Sequence, residues 1–373
     1  MPRVLLVHGN SEWYGSDRSL VLLATALREL GLGVEVVLPK PGGAAGPLVA
    51  AGIPIHYIRS APLRARVMSR LRLARYVVVD LPLSVLRIRR LARRFDVVHV
   101  NTSILLGAIV GGALARRPVV VHVRESYAGG ARAWRAYARV VRPFTSAVVA
   151  ISEDVAAEAH ATAIADRVTM IHNGLCFGPA PDARGTGPVL VVGRINEWKG
   201  HAVLIDAVAL LRSRGLSIPV EVAGDTFSGD EHILRRLHEQ ALTRGVSDLI
   251  TFLGYVEDVD GLMRRAGIFV QPSTRPEPFG LSLVDALGHG LACIATNAGG
   301  PRDIIANGET GLLVPLGDAP ALADALEQLW LDAGLRRRLG SAAAADVRRR
   351  FSITSTAMRV SELYNRLLGS PGS

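Results

Sequence analysis

The sequence predicts an α/β protein of two doubly wound parallel sheets facing each other across a cleft. Three observations lead there. Short uninterrupted runs of Val, Ile and Leu alternate with longer helical patterns, as expected for parallel strands covered on both faces. The alternation breaks once, at a stretch rich in Gly and Pro, and then restarts. The 373 residues suffice for two domains at the usual size of about 150 residues each.

In the first half the predicted strands are Arg3–Val7, Val34–Leu38, Ile53–Ile58, Asp96–Val100, Pro118–Val123, Ala147–Ile151 and Val168–Ile171, with helical stretches such as Asp17–Leu30 and Ser84–Arg94 between them. Six of the eleven residues from Gly178 to Pro188 are Gly or Pro, which marks a hinge. The strands after it are Val189–Val192, Val220–Ala223, Ile250–Phe252, Ile268–Val270, Ala292–Ala295 and Leu312–Val314. Ser352 to Leu368 reads as an amphipathic helix with no strand after it. The expected division is therefore 1–177, 178–351, and a C-terminal segment 352–373 that packs back toward the first domain. Ligands of such sheets bind at the carboxyl ends of the strands, here in the cleft.

Composition excludes several classes. With 49% hydrophobic and 20% charged residues the chain is no disordered polymer. Cys176 and Cys293 alone cannot build a disulfide framework or a four-ligand zinc site. The longest uncharged apolar run, Ile104 to Leu114, is too short to cross a bilayer. The chain opens directly on a strand rather than a signal peptide, so a soluble cytoplasmic protein is expected.

The net charge of +10 is uneven: residues 1–180 hold 23 Lys and Arg against 11 Asp and Glu, residues 181–373 hold 20 against 22. Ten arginines lie between Arg64 and Arg94, interleaved with Leu, Val and Ile. Such a segment is either a solvated arginine-rich face or a peripheral contact with an anionic membrane surface. No recognition motif or aromatic stacking array accompanies it, so no nucleic-acid partner is expected.

Two motifs carry chemistry. Val192-Gly-Arg-Ile-Asn-Glu-Trp-Lys-Gly200 follows the first strand of the second half. Gly193 permits a tight turn at the strand end, and Arg194 and Lys199 then supply a cation pair suited to a departing diphosphate. It is not a Walker loop. In Arg275-Pro-Glu-Pro-Phe-Gly-Leu-Ser-Leu-Val-Asp-Ala286 the two prolines hold Glu277 in an extended loop, and Gly280 opens a helix. The amides of Gly280 and Leu281 then face a phosphate. Asp285 lies about 7 Å further along the helix, in reach of ribose hydroxyls, while Glu277 can hold the group the diphosphate carries. Asp258-Val-Asp260 has the form of an Asp-x-Asp metal site, but it precedes a short helical stretch and is simply read as capping. No metal or other cofactor is expected.

These motifs, in this order and separation, resemble family 4 of the retaining glycosyltransferases, with the GT-B fold of two Rossmann-like domains. The resemblance extends to Ser11-Glu-Trp-Tyr-Gly-Ser-Asp-Arg-Ser19, His122, Asn173-Gly174, Ala223-Gly-Asp225, Phe252-Leu-Gly254, Ala298-Gly-Gly-Pro-Arg-Asp303 and Gly308-Glu-Thr-Gly-Leu-Leu-Val-Pro315. It implies that Arg194 and Lys199 bind the donor diphosphate and that Glu277 contacts the donor sugar. Gly193, Phe279, Gly280 and Leu281 complete the nucleotide site. Asp285 stands where a Glu usually binds ribose, one methylene short. Gly15 and Ser16 match the glycine-rich loop over the phosphates, with Ser16 in place of the second glycine. His122 matches a histidine that reaches toward the donor sugar.

The expected activity is transfer of a sugar from a nucleotide diphosphate donor to a hydroxyl, with retained configuration and no metal. By resemblance, attack is on the front face, and the leaving phosphate oxygen takes the acceptor proton. The basic N-terminal half suits a lipid-linked or cell-envelope glycan acceptor at the inner face of the membrane. A nucleotide-sugar epimerase of the same architecture and a non-catalytic donor-binding adapter are the alternatives.

Overall fold

The structure is a computed structural model describing residues 1–60, 70–127, 130–178 and 187–369. Arg64 and Arg66 of the basic segment, and hinge residues 179–186, lie outside the described residues. The chain divides into two compact units, one formed by Met1–Cys176 with Phe351–Ser373, the other by Phe177–Arg350.

The first unit holds a seven-stranded sheet of β1 (Arg3–Val7), β2 (Gly33–Leu38), β3 (Ile55–Tyr57), β4 (Val97–Val100), β5 (Val119–Val123), β6 (Ala147–Ala150) and β7 (Val168–Met170). Their order is β3-β2-β1-β4-β5-β6-β7, and every ladder is parallel. β3 is shorter than predicted because Pro54 has no N–H to give a ladder; only its carbonyl accepts, from Val36.

Helix Gly15–Glu29 covers one face, burying Leu20, Leu23 and Leu27 against Val4, Leu6 and Val36. Helix Ile353–Leu368 joins the same core. The Ser352 side chain caps it by accepting from Ser355 N–H at 3.2 Å, and left-handed Gly369 ends it. Its apolar stripe of Ile353, Ala357, Val360, Leu363 and Tyr364 is buried. At roughly 1.5 to 3 kcal/mol for each large side chain, that burial holds the C-terminal segment in the first unit. The return begins at Phe351, one residue earlier than predicted, where its carbonyl accepts from Leu175 N–H and its ring meets the edge of His172.

The second unit holds β8 (Val189–Val192), β9 (Val220–Ala223), β10 (Ile250–Gly254), β11 (Ile268–Gln271), β12 (Ala292–Thr296) and β13 (Leu312–Val314). Their order is β10-β9-β8-β11-β12-β13, again with parallel ladders. In each sheet the chain order reverses once, between β1 and β4 and between β8 and β11. Loops leave those two strands toward opposite faces, so a crevice opens at their carboxyl ends.

Candidate active site

In the second unit the predicted residues fall at this switch point. The loop after β8 is shaped by Asn196, whose side-chain oxygen accepts from Trp198 N–H at 3.1 Å and Lys199 N–H at 3.0 Å. Thr274 N–H donates to the Trp198 carbonyl at 2.8 Å, tying this loop to the one that follows β11. Gly200 makes the approach possible: its φ is +77°, and a Cβ there would lie 1.7 Å from the Pro272 carbonyl oxygen.

The crossing brings Lys199 onto Glu277, Nζ to Oε2 at 2.6 Å, with Ser273 Oγ donating to the same oxygen at 3.1 Å. Both charges are largely buried, at 18% and 10% side-chain exposure. Lys199 and Glu277, assigned separate duties in the sequence, are thus one ion pair. The Arg194 guanidinium lies 3.5 Å from the Phe227 ring centroid, a stacked cation.

The Glu277 loop is itself clamped by backbone. Gly300 N–H donates to the Glu277 carbonyl at 2.8 Å, and Gly299, at φ +70°, sits where a Cβ would meet that carbonyl oxygen at 2.2 Å. Phe279 is buried at the end of this loop. Gly280 then adopts φ +108° and starts helix Leu281–Gly288, leaving the Gly280 and Leu281 amides at a helix N-terminus. Asp285 is buried within that helix. Its carboxylate comes to 3.5 Å from His289 Nδ1, and His289 Nε2 lies 2.5 Å from Asp260. The Asp285 and Asp260 carboxyl groups hold the His289 imidazolium up to about 9. Asp258 caps helix Val259–Arg265 by accepting from Gly261 N–H at 2.9 Å, and Asp260 pairs with Arg264 and His289. The Asp-x-Asp pattern is therefore bound up in capping and ion pairing.

In the first unit, the ends of β1, β4, β5 and β7 deliver polar residues to one edge: His8, Asn101, Arg124 and Asn173. Arg124 is the hub. Its Nε and Nη2 donate to Asn101 Oδ1 at 3.0 and 2.8 Å, Nη1 donates to Ser19 Oγ at 3.0 Å and to Asn173 Oδ1, and Nη2 also reaches His122 Nδ1 at 3.4 Å. Burial lowers this guanidinium to about 10. His122 is 1% exposed and meets His99 at 3.1 Å, Nδ1 to Nε2. Burial, with Arg124 and His99 beside it, holds its ring well below the ordinary histidine range.

Gly15 and Ser16 do not form a loop. They are the exposed first two residues of helix Gly15–Glu29. The reason is Asp17, wholly buried, which accepts from Tyr14 N–H at 3.3 Å and from His8 at 3.2 Å and so fixes the first turn. Sequence reasoning missed His8, Asp17, Asn101 and Asn173 as members of this cluster, and His289 beside Asp285. Asp17 and Asn173 stood in quoted motifs without a role, and the signal of His8, Asn101 and His289 is their position just beyond a strand or helix end.

Comparison with known proteins agrees with this architecture. The family model described as Glycosyltransferase Family 4 matches residues 13–176, and that described as Glycosyl transferases group 1 matches residues 184–346. Among curated relatives, the lipopolysaccharide core biosynthesis mannosyltransferase LpcC of Rhizobium leguminosarum bv. viciae is 32% identical over 177 residues, covering 48% of this chain and 50% of that protein. The phosphatidyl-myo-inositol mannosyltransferase of Mycobacterium leprae is 34% identical over 185 residues, covering 49% and 47%. The chain thus spans about half the length of the curated relatives it matches. Among solved structures, HepE of Anabaena in complex with UDP and glucose superposes with a TM-score of 0.84 at 23% identity, covering 97% of this chain and 99% of that one. Sucrose-phosphate synthase of Thermosynechococcus elongatus gives 0.78 at 20%, covering 99% and 100%. Two parallel sheets of this order, with family matches to both halves, place the chain in family 4 of the GT-B glycosyltransferases, the glycosyl transferases group 1.

Proposed function

We propose that this protein transfers a sugar from a nucleoside diphosphate sugar to a hydroxyl acceptor, with retention of configuration and without a metal. The observation that carries the reading is the Lys199–Glu277 pair, set at the β8/β11 switch point beside the helix mouth at Gly280. A diphosphate entering there meets the Lys199 ammonium and the helix amides, which stabilise the charge that grows on the leaving group. Glu277, hydrogen-bonded to Lys199, keeps its second oxygen for the hydroxyls of the sugar. Arg194, stacked on Phe227, adds a second cation to the same loop, and Asp285 lies one turn deeper, on the ribose side. The UDP and glucose held by HepE support a nucleoside diphosphate donor.

The acceptor we propose is a lipid-linked or envelope glycan presented at an anionic membrane surface. Relatives named for lipopolysaccharide core and phosphatidyl-myo-inositol support it. So does the segment ending in helix Leu81–Ala92, where Leu71, Val77, Val78, Leu83 and Leu86 are exposed among arginines. Among the described residues no helix is long and apolar enough to cross a membrane, so contact would be peripheral.

A thermal-shift screen against nucleoside diphosphate sugars tests the donor. At a hundredfold excess over Kd the true donor adds about 2.7 kcal/mol; no shift with any of them removes the reading. Anomeric NMR of the product tests retention, and full turnover in EDTA tests metal independence. A donor epimerised in an acceptor-free reaction would instead indicate the epimerase. Co-sedimentation with anionic vesicles at low salt, lost at high salt, tests the membrane contact.

A further inference from the structure

Asp260 and Asp285 lie on two helices of the second unit, Val259–Arg265 and Leu281–Gly288, and one histidine joins them. His289 ends the second of these helices. Its Nδ1 lies 2.8 Å from the Asp285 carbonyl oxygen and 3.5 Å from the Asp285 carboxylate, and its Nε2 lies 2.5 Å from Asp260 Oδ1. Arg264, 2.5 Å from the other Asp260 oxygen, keeps that carboxyl ionised. A carbonyl oxygen and an ionised carboxylate can only accept hydrogen bonds. Both ring nitrogens must therefore carry protons, and His289 is an imidazolium whose two N–H groups are committed to different helices.

The charges around this ring come from three helices. Asp285 is on its own helix. Asp260 and Arg264 are on the helix opposite, with Asp258 turned away to cap that helix at Gly261 N–H. From helix Ala333–Arg350, Arg348 Nη2 donates to the Gly288 carbonyl at 2.8 Å, one residue before the ring. A helix C-terminus carries partial negative charge and suits a cation. Asp285 and His289 are the shielded members, at 7% and 19% side-chain exposure.

Asp285 needs such a partner for two reasons. A buried carboxyl with no cation near it takes up a proton, and a protonated oxygen is no longer a free acceptor. An uncompensated carboxylate one turn beyond a helix mouth that receives a diphosphate would also repel it. We infer that His289 and Asp260 are positioning residues, which hold Asp285 ionised and oriented to accept from the ribose hydroxyls of a nucleoside diphosphate sugar. The inference rests on the donor reading above for the ribose, while the imidazolium follows from the second unit alone. It gives the Asp-x-Asp pattern a division of labour: Asp258 starts a helix and Asp260 steers a histidine. Asp285 and Asp260 hold the His289 ring up to about 9, so the arrangement is complete at neutral pH and is lost as the pH rises through that value.

The full-length protein labelled with 15N in its histidine rings tests the cation, through two-bond proton–nitrogen spectra recorded without ligand. His289 is expected to carry protons on both nitrogens at pH 7.5 and to titrate near 9, and to titrate lower in Asp260→Asn. Donor KM is expected to stay flat from pH 7 to 8 and to rise about tenfold above pH 9, the value of a hydrogen bond to a charged group, with kcat within about twofold. His289→Gln should show the raised KM already at pH 7.5 and no further rise. His289→Lys, a cation that keeps its proton past pH 9, should restore the low KM and hold it. A neutral His289 ring at pH 7.5 overturns the inference. So does an alkaline rise in KM that persists in His289→Gln, since that rise belongs to the nucleobase. If His289→Gln does not fold, Asp260→Asn, at a more exposed site, decides by whether its ring titration and its KM limb move down together. A wild-type protein with the imidazolium but no affinity for any nucleoside diphosphate sugar would overturn the proposed function, and with it the ligand role of Asp285.

Discussion

The two units solve the same problem, fixing polar groups at the carboxyl edge of a parallel sheet, with different materials. The second unit does it with backbone: left-handed Gly200, Gly280 and Gly299 let three loops approach within hydrogen-bonding distance, and one buried ion pair crosses them. The first unit does it with side chains, spreading the directing role over Arg124, Asn101, three histidines and Tyr364. A backbone cradle presents N–H groups that any phosphate can use. A side-chain network presents donors whose direction depends on every member. Damage should therefore be local and severe in the second unit, and distributed and graded in the first.

The largest effect is expected at the ion pair. Lys199→Ala should lower kcat/KM by about 100- to 1000-fold, as loss of a charge-stabilising donor does. It should also cost about 2 to 4 kcal/mol of stability, because Glu277 is left buried and unpaired. Adding Glu277→Gln should restore much of the stability, read by urea unfolding, and none of the turnover. Recovery of turnover in the double variant would mean that the pair only holds the loops together.

Next comes the cradle itself. Gly299→Ala places a methyl 2.2 Å from the Glu277 carbonyl oxygen at a left-handed φ, and should destabilise the second unit by roughly 1 to 3 kcal/mol while weakening donor binding in the thermal-shift assay. An alanine tolerated with normal binding would show that the Glu277 loop is not clamped there.

Acid should strike both units through buried rings. His99 and His201 are pushed down to about 3 and about 4 by burial. Their unfolded forms bind protons from about pH 6.5 downward, so the stability they allow is complete above pH 6.5 and falls as the pH drops toward 4. At pH 5 each costs about 2 kcal/mol, and His201→Leu should remove its share from the pH dependence of the urea midpoint. His289 has the opposite sign. Raised to about 9 by Asp285 and Asp260, it stabilises below pH 6.5, and this contribution is lost as the pH rises through about 9. His289→Gln should flatten that alkaline limb.

Both sheets were legible in the sequence because fully buried parallel strands must be continuous in apolar residues, and Val97, Val98, Val119, Val120 and Val121 say so directly. The second-unit site was legible for a related reason. Close backbone approach and left-handed turns require glycine, so Gly193, Gly200 and Gly280 are written into the motifs that carry Lys199 and Glu277, and Gly299 into the stretch Ala298-Gly-Gly-Pro-Arg-Asp303. The basic segment was visible as charge, while the exposure of Val77 and Val78 within it was not.

Sequence alone thus determined the strand and helix pattern, the break near residue 180 and the loops that bear the cations, since each rests on local rules of polarity and backbone conformation. Only tertiary structure decided that Lys199 lies on Glu277, that Asp285 meets His289, and that His122 is tied through His99 to a tyrosine 242 positions away. Hydrogen bonds are short and directional, and which side chains come within 3 Å of one another is set by strand order and by the helix that returns at Phe351, not by spacing along the chain.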